Sequence, residues 1–350
     1  MTILPTFCDF DPGSYLVFGP NVGPLQYYSH LPVIVIALAL AIFVLWSNRK
    51  LAGSIFFFTI SSFVLWVFFD SIIWASNRSD VIMFMWSLQI LVEPLVYLGC
   101  LYLIQVLVTG KDISFKSKLF WILAYLPLIL LTPTNYILES FDLSACLANE
   151  TYLSYYTYGI EIVAAFWILW FANKESRRAS KEKSREISLL TAGIILFLVA
   201  FAWGNIIGSL TGDWELAQYG LFGMPVFTAF LVYSIVKFKA FNIKLVGASA
   251  LVFGLIAATF SLIFVNEVEV FRGVALVTFV LSLIFGYILI KSINREAKQR
   301  QEIEQLAKDL EETNKQQIIL VHFLTHQIKG FVSKSRNIFS MVLDGDFGPV

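Results

Sequence analysis

His326 is the residue in this 350-residue chain best placed for chemistry. It stands in the run Val321-His-Phe-Leu-Thr-His-Gln-Ile-Lys329, where Val321, Leu324, Ile328, Phe331, Ser335, Ile338 and Val342 step by three and four. Taking Val321 and Leu324 as the a and d positions of a heptad puts His326 at f, the most exposed position, where an imidazole is free to act as a nucleophile. His322 falls at b, also outward, and on a polar helix face either histidine has the simpler reading of a solvated side chain. A second group of candidates is acidic. Glu93, Glu161 and Asp70 fall inside long apolar runs, where a charge costs about 2.5–3.5 kcal/mol on insertion scales and so marks a site by default. With Trp203 and Asn205 they are expected to line an outward-opening cavity for a small or cationic ligand; the plain alternative is a protonated carboxyl bonded to a neighbouring helix. The three cysteines and three histidines form no C-x-x-C or H-E-x-x-H pattern, and no metal site is expected.

The elements that must position these residues are membrane helices. The chain is 58% hydrophobic and 14% charged, with 25 basic and 25 acidic residues. Zero net charge excludes a globally basic nucleic-acid binder. Nine runs are long enough to cross a bilayer, at about 31–48, 51–75, 81–109, 117–138, 153–172, 188–210, 217–238, 245–265 and 271–291. Alternate loops carry the basic residues, among them Arg49 and Lys50, Lys111 to Lys118, Lys174 to Arg185 and Lys237 to Lys244. The opposite set carries Arg78, Arg272 and most of the loop acids. The positive-inside rule then sets the N-terminus outside and the C-terminus in the cytoplasm. The expected fold is all-α: a polytopic transmembrane bundle followed by a long cytoplasmic coiled-coil helix. Cys8 and Cys146 both fall on the outer side, where they either pair or remain unrelated free thiols; Cys100 is a packing residue within the membrane.

After Ile290 the composition turns to Glu, Lys, Gln and Leu with neither Gly nor Pro through Gln317, the composition of a long polar helix. Ile303, Leu306, Leu310 and Thr313 form one seam. Its junction with the second, through Gln317, takes two steps of four, a stutter that locally unwinds a left-handed coil. The expected organisation is an extracytoplasmic segment 1–30, a sensor bundle 31–244, two further spans 245–291, a coiled-coil linker 292–320 and a terminal helix 321–350.

The stretch from His322 to Lys329, followed by Leu343-Asp-Gly-Asp-Phe-Gly348, resembles the first helix and turn of the dimerisation and phosphoacceptor domain of bacterial sensor histidine kinases. The resemblance implies that His326 accepts the γ-phosphoryl group of ATP, with Gln327 and Lys329 flanking it. Gln327 stands where the family usually has a Glu that accepts the imidazole proton. Gly330 replaces a Thr or Asn that positions a water for phosphatase action, and Phe331 replaces a helix-kinking Pro. Helices one to seven, closing in Tyr233-Ser-Ile-Val-Lys-Phe-Lys-Ala-Phe-Asn-Ile-Lys244, look like the seven-helix sensor region of some of these kinases.

The same resemblance implies a multi-pass receptor of the bacterial inner membrane, signalling as a parallel homodimer to a response regulator. Its signal is expected to be a small extracytoplasmic or membrane-borne molecule. The chain carries no ATP-binding box, so ATP and Mg2+ are expected only in a catalytic domain outside it, whether in a longer kinase or supplied in trans to a truncated receptor. The alternatives are a polytopic transporter, which the intramembrane acids would suit, and a non-enzymatic receptor acting through its coiled-coil tail.

Overall fold

The computed structural model describes residues 7–9, 24–47, 51–144, 146–211, 220, 269–344 and 348. Helices α1 (Pro24–Ser47), α2 (Leu51–Ala75), α3 (Ser79–Thr109) and α4 (Phe115–Leu131) are followed by strands β1 (Leu138–Asp142) and β2 (Leu147–Glu150). Then come α5 (Tyr152–Arg178), α6 (Lys181–Thr211) and α7 (Glu269–Leu343). Five of these, α1, α2, α3, α5 and α6, contain stretches long and apolar enough to cross a membrane. The predicted spans 217–238 and 245–265 lie outside the described residues apart from Gly220. The predicted ninth span, 271–291, forms the start of α7.

The chain divides into two units, Met1–Lys291 and Ser292–Val350. In the first, α1, α2, α3, α5 and α6 share one core built on Phe56, Ile60, Phe63, Val96, Ile104, Ile168, Ile194 and Phe197. Helices α2 and α3 pack closely where Gly99 faces Thr59. Gly110 ends α3 in the left-handed conformation, at φ 69°, and its N–H closes on the Val106 carbonyl at 2.9 Å. This is a position that glycine adopts without a Cβ penalty. At the start of α4 the Ser114 hydroxyl caps the Ser117 amide.

The fold departs from an all-α chain between α4 and α5. The predicted fourth span runs to residue 138, but α4 stops at Leu131 after 17 residues, at the lower limit of about 17–25 for a membrane helix. Pro133 supplies no N–H to continue the helix, and the following turn delivers Leu138 into an antiparallel hairpin. Phe141 pairs with Ala148 and Asp142 with Leu147, and the register shifts by a bulge between Leu138 and Ser140. Ile137, Leu138 and Ala148 bury against Ile90 of α3, Leu128 of α4 and Ile160 of α5, so the hairpin roofs one end of the bundle. The N-terminal segment ties into the same end. Phe7 bridges Arg78, the Cys8 amide donates to the Asn77 carbonyl at 2.8 Å, and Cys8 forms a disulfide with Cys146 beside the hairpin. Of the two alternatives left open for these thiols, the structure has the pair joined.

Candidate functional site

Polar side chains run along the inner faces of three helices. On α3 they are Trp86, Gln89, Glu93 and Tyr97, spaced by three, four and four; on α5, Ser154, Thr157, Tyr158 and Glu161; on α2, Asp70, Trp66, Ser62 and Thr59. These intervals keep each set on one helix face. Most of these residues are buried, Glu93 at 3% and Glu161 at 6% exposure.

At the hairpin end of the bundle the seam opens on a network centred on Asp70. One carboxylate oxygen lies 2.8 Å from His30 Nε2 of α1, and the other accepts from Gln89 Nε2 at 3.0 Å. His30 is 1% exposed. Its Nδ1 lies 2.8 Å from the Gln26 carbonyl oxygen. The Ser29 hydroxyl lies 2.9 Å from the same nitrogen. The contacts of Asp70 with His30 and Gln89 hold α1, α2 and α3 together here.

One turn further along α3 is Glu93, and α3 packs against α5, which carries Glu161; both carboxyl groups are buried. Glu161 Oε1 is buried with no hydrogen-bond partner. Between Glu161 and the hairpin, the Tyr158 hydroxyl donates to both oxygens of Glu150, at 3.0 and 2.9 Å, and Trp86 donates to the same carboxylate. Burial on β2 raises the Glu150 carboxyl above its ordinary value, and these hydrogen bonds oppose the shift. Pro94, following Glu93, offers no N–H to the preceding turn, and the Tyr125 hydroxyl of α4 donates to the Leu91 carbonyl there at 2.6 Å. Deep carboxyl groups beside aromatic rings can receive a cationic group. Among the described residues no three His, Cys, Asp or Glu side chains gather as metal ligands.

The expected ligand-lining residues therefore fall into distinct places. Glu93 and Glu161 are both buried on two helices that pack together, and Asp70 bonds Gln89, one turn before Glu93 on α3. Trp203 does not: it is 42% exposed on α6, while Phe201, two positions away, packs its ring on Trp66, Tyr97, Phe63 and Phe197. Asn205 is on α6, with its side chain outside the described ones. His30, Gln89, Tyr97 and Tyr158 belong to the seam and are not among the residues expected from sequence; the i, i+4 spacing of Gln89, Glu93 and Tyr97 is the signal that points to part of it.

Comparison of the chain with protein-family models, curated proteins and solved structures found no match.

In the second unit α7 continues to Leu343, and His326, Gln327 and Lys329 are all exposed on it. So are Ile303, Leu306, Leu310, Val321, Leu324, Ile328, Phe331, Ile338 and Val342. From Ser292 to His326 the helix rises about 50 Å at 1.5 Å per residue.

Proposed function

We propose that the chain is the sensory and phosphoacceptor part of a membrane histidine kinase. Nine spans with the N-terminus outside would form the receptor of a bacterial inner membrane, and His326 would accept the phosphoryl group of ATP bound, with Mg2+, by a catalytic domain. The observation that carries this reading is α7: one unbroken helix of 75 residues that leads from an apolar segment to an exposed histidine. It also leaves a heptad-spaced apolar seam uncovered. A seam of that kind is buried by a second parallel helix, so a homodimer is expected, with a response regulator as the next acceptor. The carboxylate seam of Asp70, Glu93 and Glu161 would bind the signal. A signal biases the bundle only through its different affinity for two arrangements, which α7 would transmit as a rotation or slide. The buried acids alone would also suit a transporter; an exposed histidine on a polar helix has no part in that function.

Phosphorylation with radiolabelled ATP in membranes carrying the product of the complete gene tests the proposal. An acid-labile, base-stable label is expected, lost in His326→Gln and retained in His322→Gln. Label of unchanged amount in His326→Gln overturns it.

A further inference from the structure

The structure has a second place suited to a ligand, away from the carboxylate seam and independent of the kinase reading. Helix α4 is fastened at its C-terminal half, where Leu128 is fully buried, Tyr125 bonds the Leu91 carbonyl and the Tyr156 hydroxyl of α5 donates to the Ala124 carbonyl at 2.6 Å. Its N-terminal half faces α2 and α3 through Lys118, Trp121 and Ile122. A cavity of about 390 Å³ remains between the three helices, within the range of about 300–1,000 Å³ typical of small-molecule sites. Phe58, Leu98, Leu101, Trp121 and Ile122 make its walls apolar. Phe58 and Ile122 are also exposed on the outside of the bundle, so the cavity opens sideways to the surrounding lipid.

The mouth has a different character. Lys118, Tyr102 and Gln105 stand at the end of the cavity nearest the α3–α4 loop. The Lys118 ammonium donates to Asp112 at 2.6 Å and lies 5.5 Å from the centre of the ring of Tyr102, whose hydroxyl also donates to Asp112 at 2.6 Å. These contacts hold the ammonium at the opening; of its three hydrogens Asp112 takes one and the Tyr102 hydroxyl another, which leaves the third for a ligand. Lys111 in the loop and Lys116 in the first turn of α4 add two exposed positive charges nearby. Gln105 and Leu98 are seven residues apart on α3, so the cavity descends about 10 Å from the lysines toward mid-membrane.

We propose that this cavity seats an acyl chain of an anionic phospholipid, with the lipid phosphate held by Lys118. An acyl chain in a bilayer is already in apolar surroundings, so the walls admit the chain while the charge at the mouth selects the headgroup. Occupation wedges the N-terminal half of α4 against α2 and α3 and makes the position of α4 depend on lipid composition.

The test uses the whole chain in phosphatidylcholine vesicles containing a minor fraction of phosphatidylglycerol or phosphatidylcholine brominated on the acyl chains. Quenching of Trp121 is read as the difference between the wild type and Trp121→Phe. Brominated phosphatidylglycerol is expected to quench more than brominated phosphatidylcholine, and Lys118→Gln is expected to lower that preference about fivefold, the effect of one lysine near an anionic surface. Lys174→Gln, a basic residue on α5 over Trp170, should leave the preference intact. Equal quenching by the two lipids, an unchanged preference in Lys118→Gln, or an equal loss in Lys174→Gln overturns the proposal. Stronger quenching by a brominated free fatty acid than by phosphatidylglycerol also overturns it, because the occupant would then be a free amphiphile. Lipid retained through purification, counted by mass spectrometry, provides a second measurement that does not involve replacing Trp121: phosphatidylglycerol retained no more than phosphatidylcholine overturns the proposal as well.

Discussion

Replacing Gly99 with Ala should separate α2 from α3 and loosen both the carboxylate seam and the lipid cavity. A Cβ at residue 99 would meet Thr59 Oγ1 at 2.3 Å, Cβ at 3.0 Å and Cγ2 at 3.1 Å, all closer than ordinary van der Waals contact. Thr59 is fully buried, and its hydroxyl donates to the Ile55 carbonyl at 2.8 Å. Rotating it away breaks that bond and directs its methyl group at the same space, so the helices must move apart by about 1 Å. Overpacking of this kind costs about 1–3 kcal/mol, roughly five- to 150-fold in the folding equilibrium. The distances also rank the rescues. Thr59→Ala removes the 2.3 and 3.1 Å contacts but leaves Cβ at 3.0 Å, so it relieves Gly99→Ala in part. Thr59→Gly removes all three and relieves it fully, apart from its own cost of about 1 kcal/mol for glycine in a helix. A double-mutant cycle on denaturant unfolding in mixed micelles measures the coupling. Stability of Gly99→Ala within about 0.5 kcal/mol of wild type, or equal additivity with both Thr59 variants, would refute the packing argument.

Cys8→Ser opens a disulfide that spans 138 residues. Chain entropy for such a loop is worth about 5 kcal/mol, and because membrane helices persist in the unfolded state we expect about 2–4 kcal/mol, seen as a lower unfolding temperature and early proteolysis at the N-terminal segment. Dithiothreitol should destabilise the wild type to the same level and leave Cys8→Ser unchanged; a further effect on the variant would count against this assignment. Glu150 supplies a pH dependence. Its carboxyl is raised above the ordinary 4.5 by burial, so the stability associated with its neutral form is present below 4.5 and lost as pH rises through the raised value. Glu150→Gln should flatten the fall in unfolding temperature over that interval, and an identical slope in the two proteins would show that Glu150 does not control it.

The membrane helices are legible where hydropathy and chain breaks agree. The 51–75 run coincides with α2, and the 81–109 run begins two residues inside α3. Hydropathy misplaces the end of the fourth run because it averages over a window and does not register where the backbone turns. Ile137 and Leu138 are as apolar as a helix interior, yet they follow Pro133 and enter a strand, where they bury against Ile90 and Leu128. The hairpin's short, mixed strands carry little alternation from which to infer it. The pairing of Cys8 with Cys146 depends on a contact between distant segments that spacing does not encode.

The same distinction explains the site. Glu93 and Glu161 stand out because a carboxylate inside an apolar run is costly wherever the helix faces. No such signal favours Trp203 over Phe201. In a helix apolar on every side, sequence does not say which ring points inward, and positions two apart face nearly opposite ways. His30 is the most informative omission. It lies near the start of α1, where a single histidine reads as an interfacial residue. Only the approach of α1 to α2 brings it to Asp70, and only α3 brings Gln89 to the other oxygen. Its meaning therefore lies in three helices meeting, and that gives the seam a direction. Asp70 takes His30 of α1 on one oxygen and Gln89 of α3 on the other, and Gln89 is one helical turn from Glu93. Gln89, Glu93 and Tyr97, four apart, therefore put the Asp70 network and the deep carboxyl group of Glu93 on one face of α3.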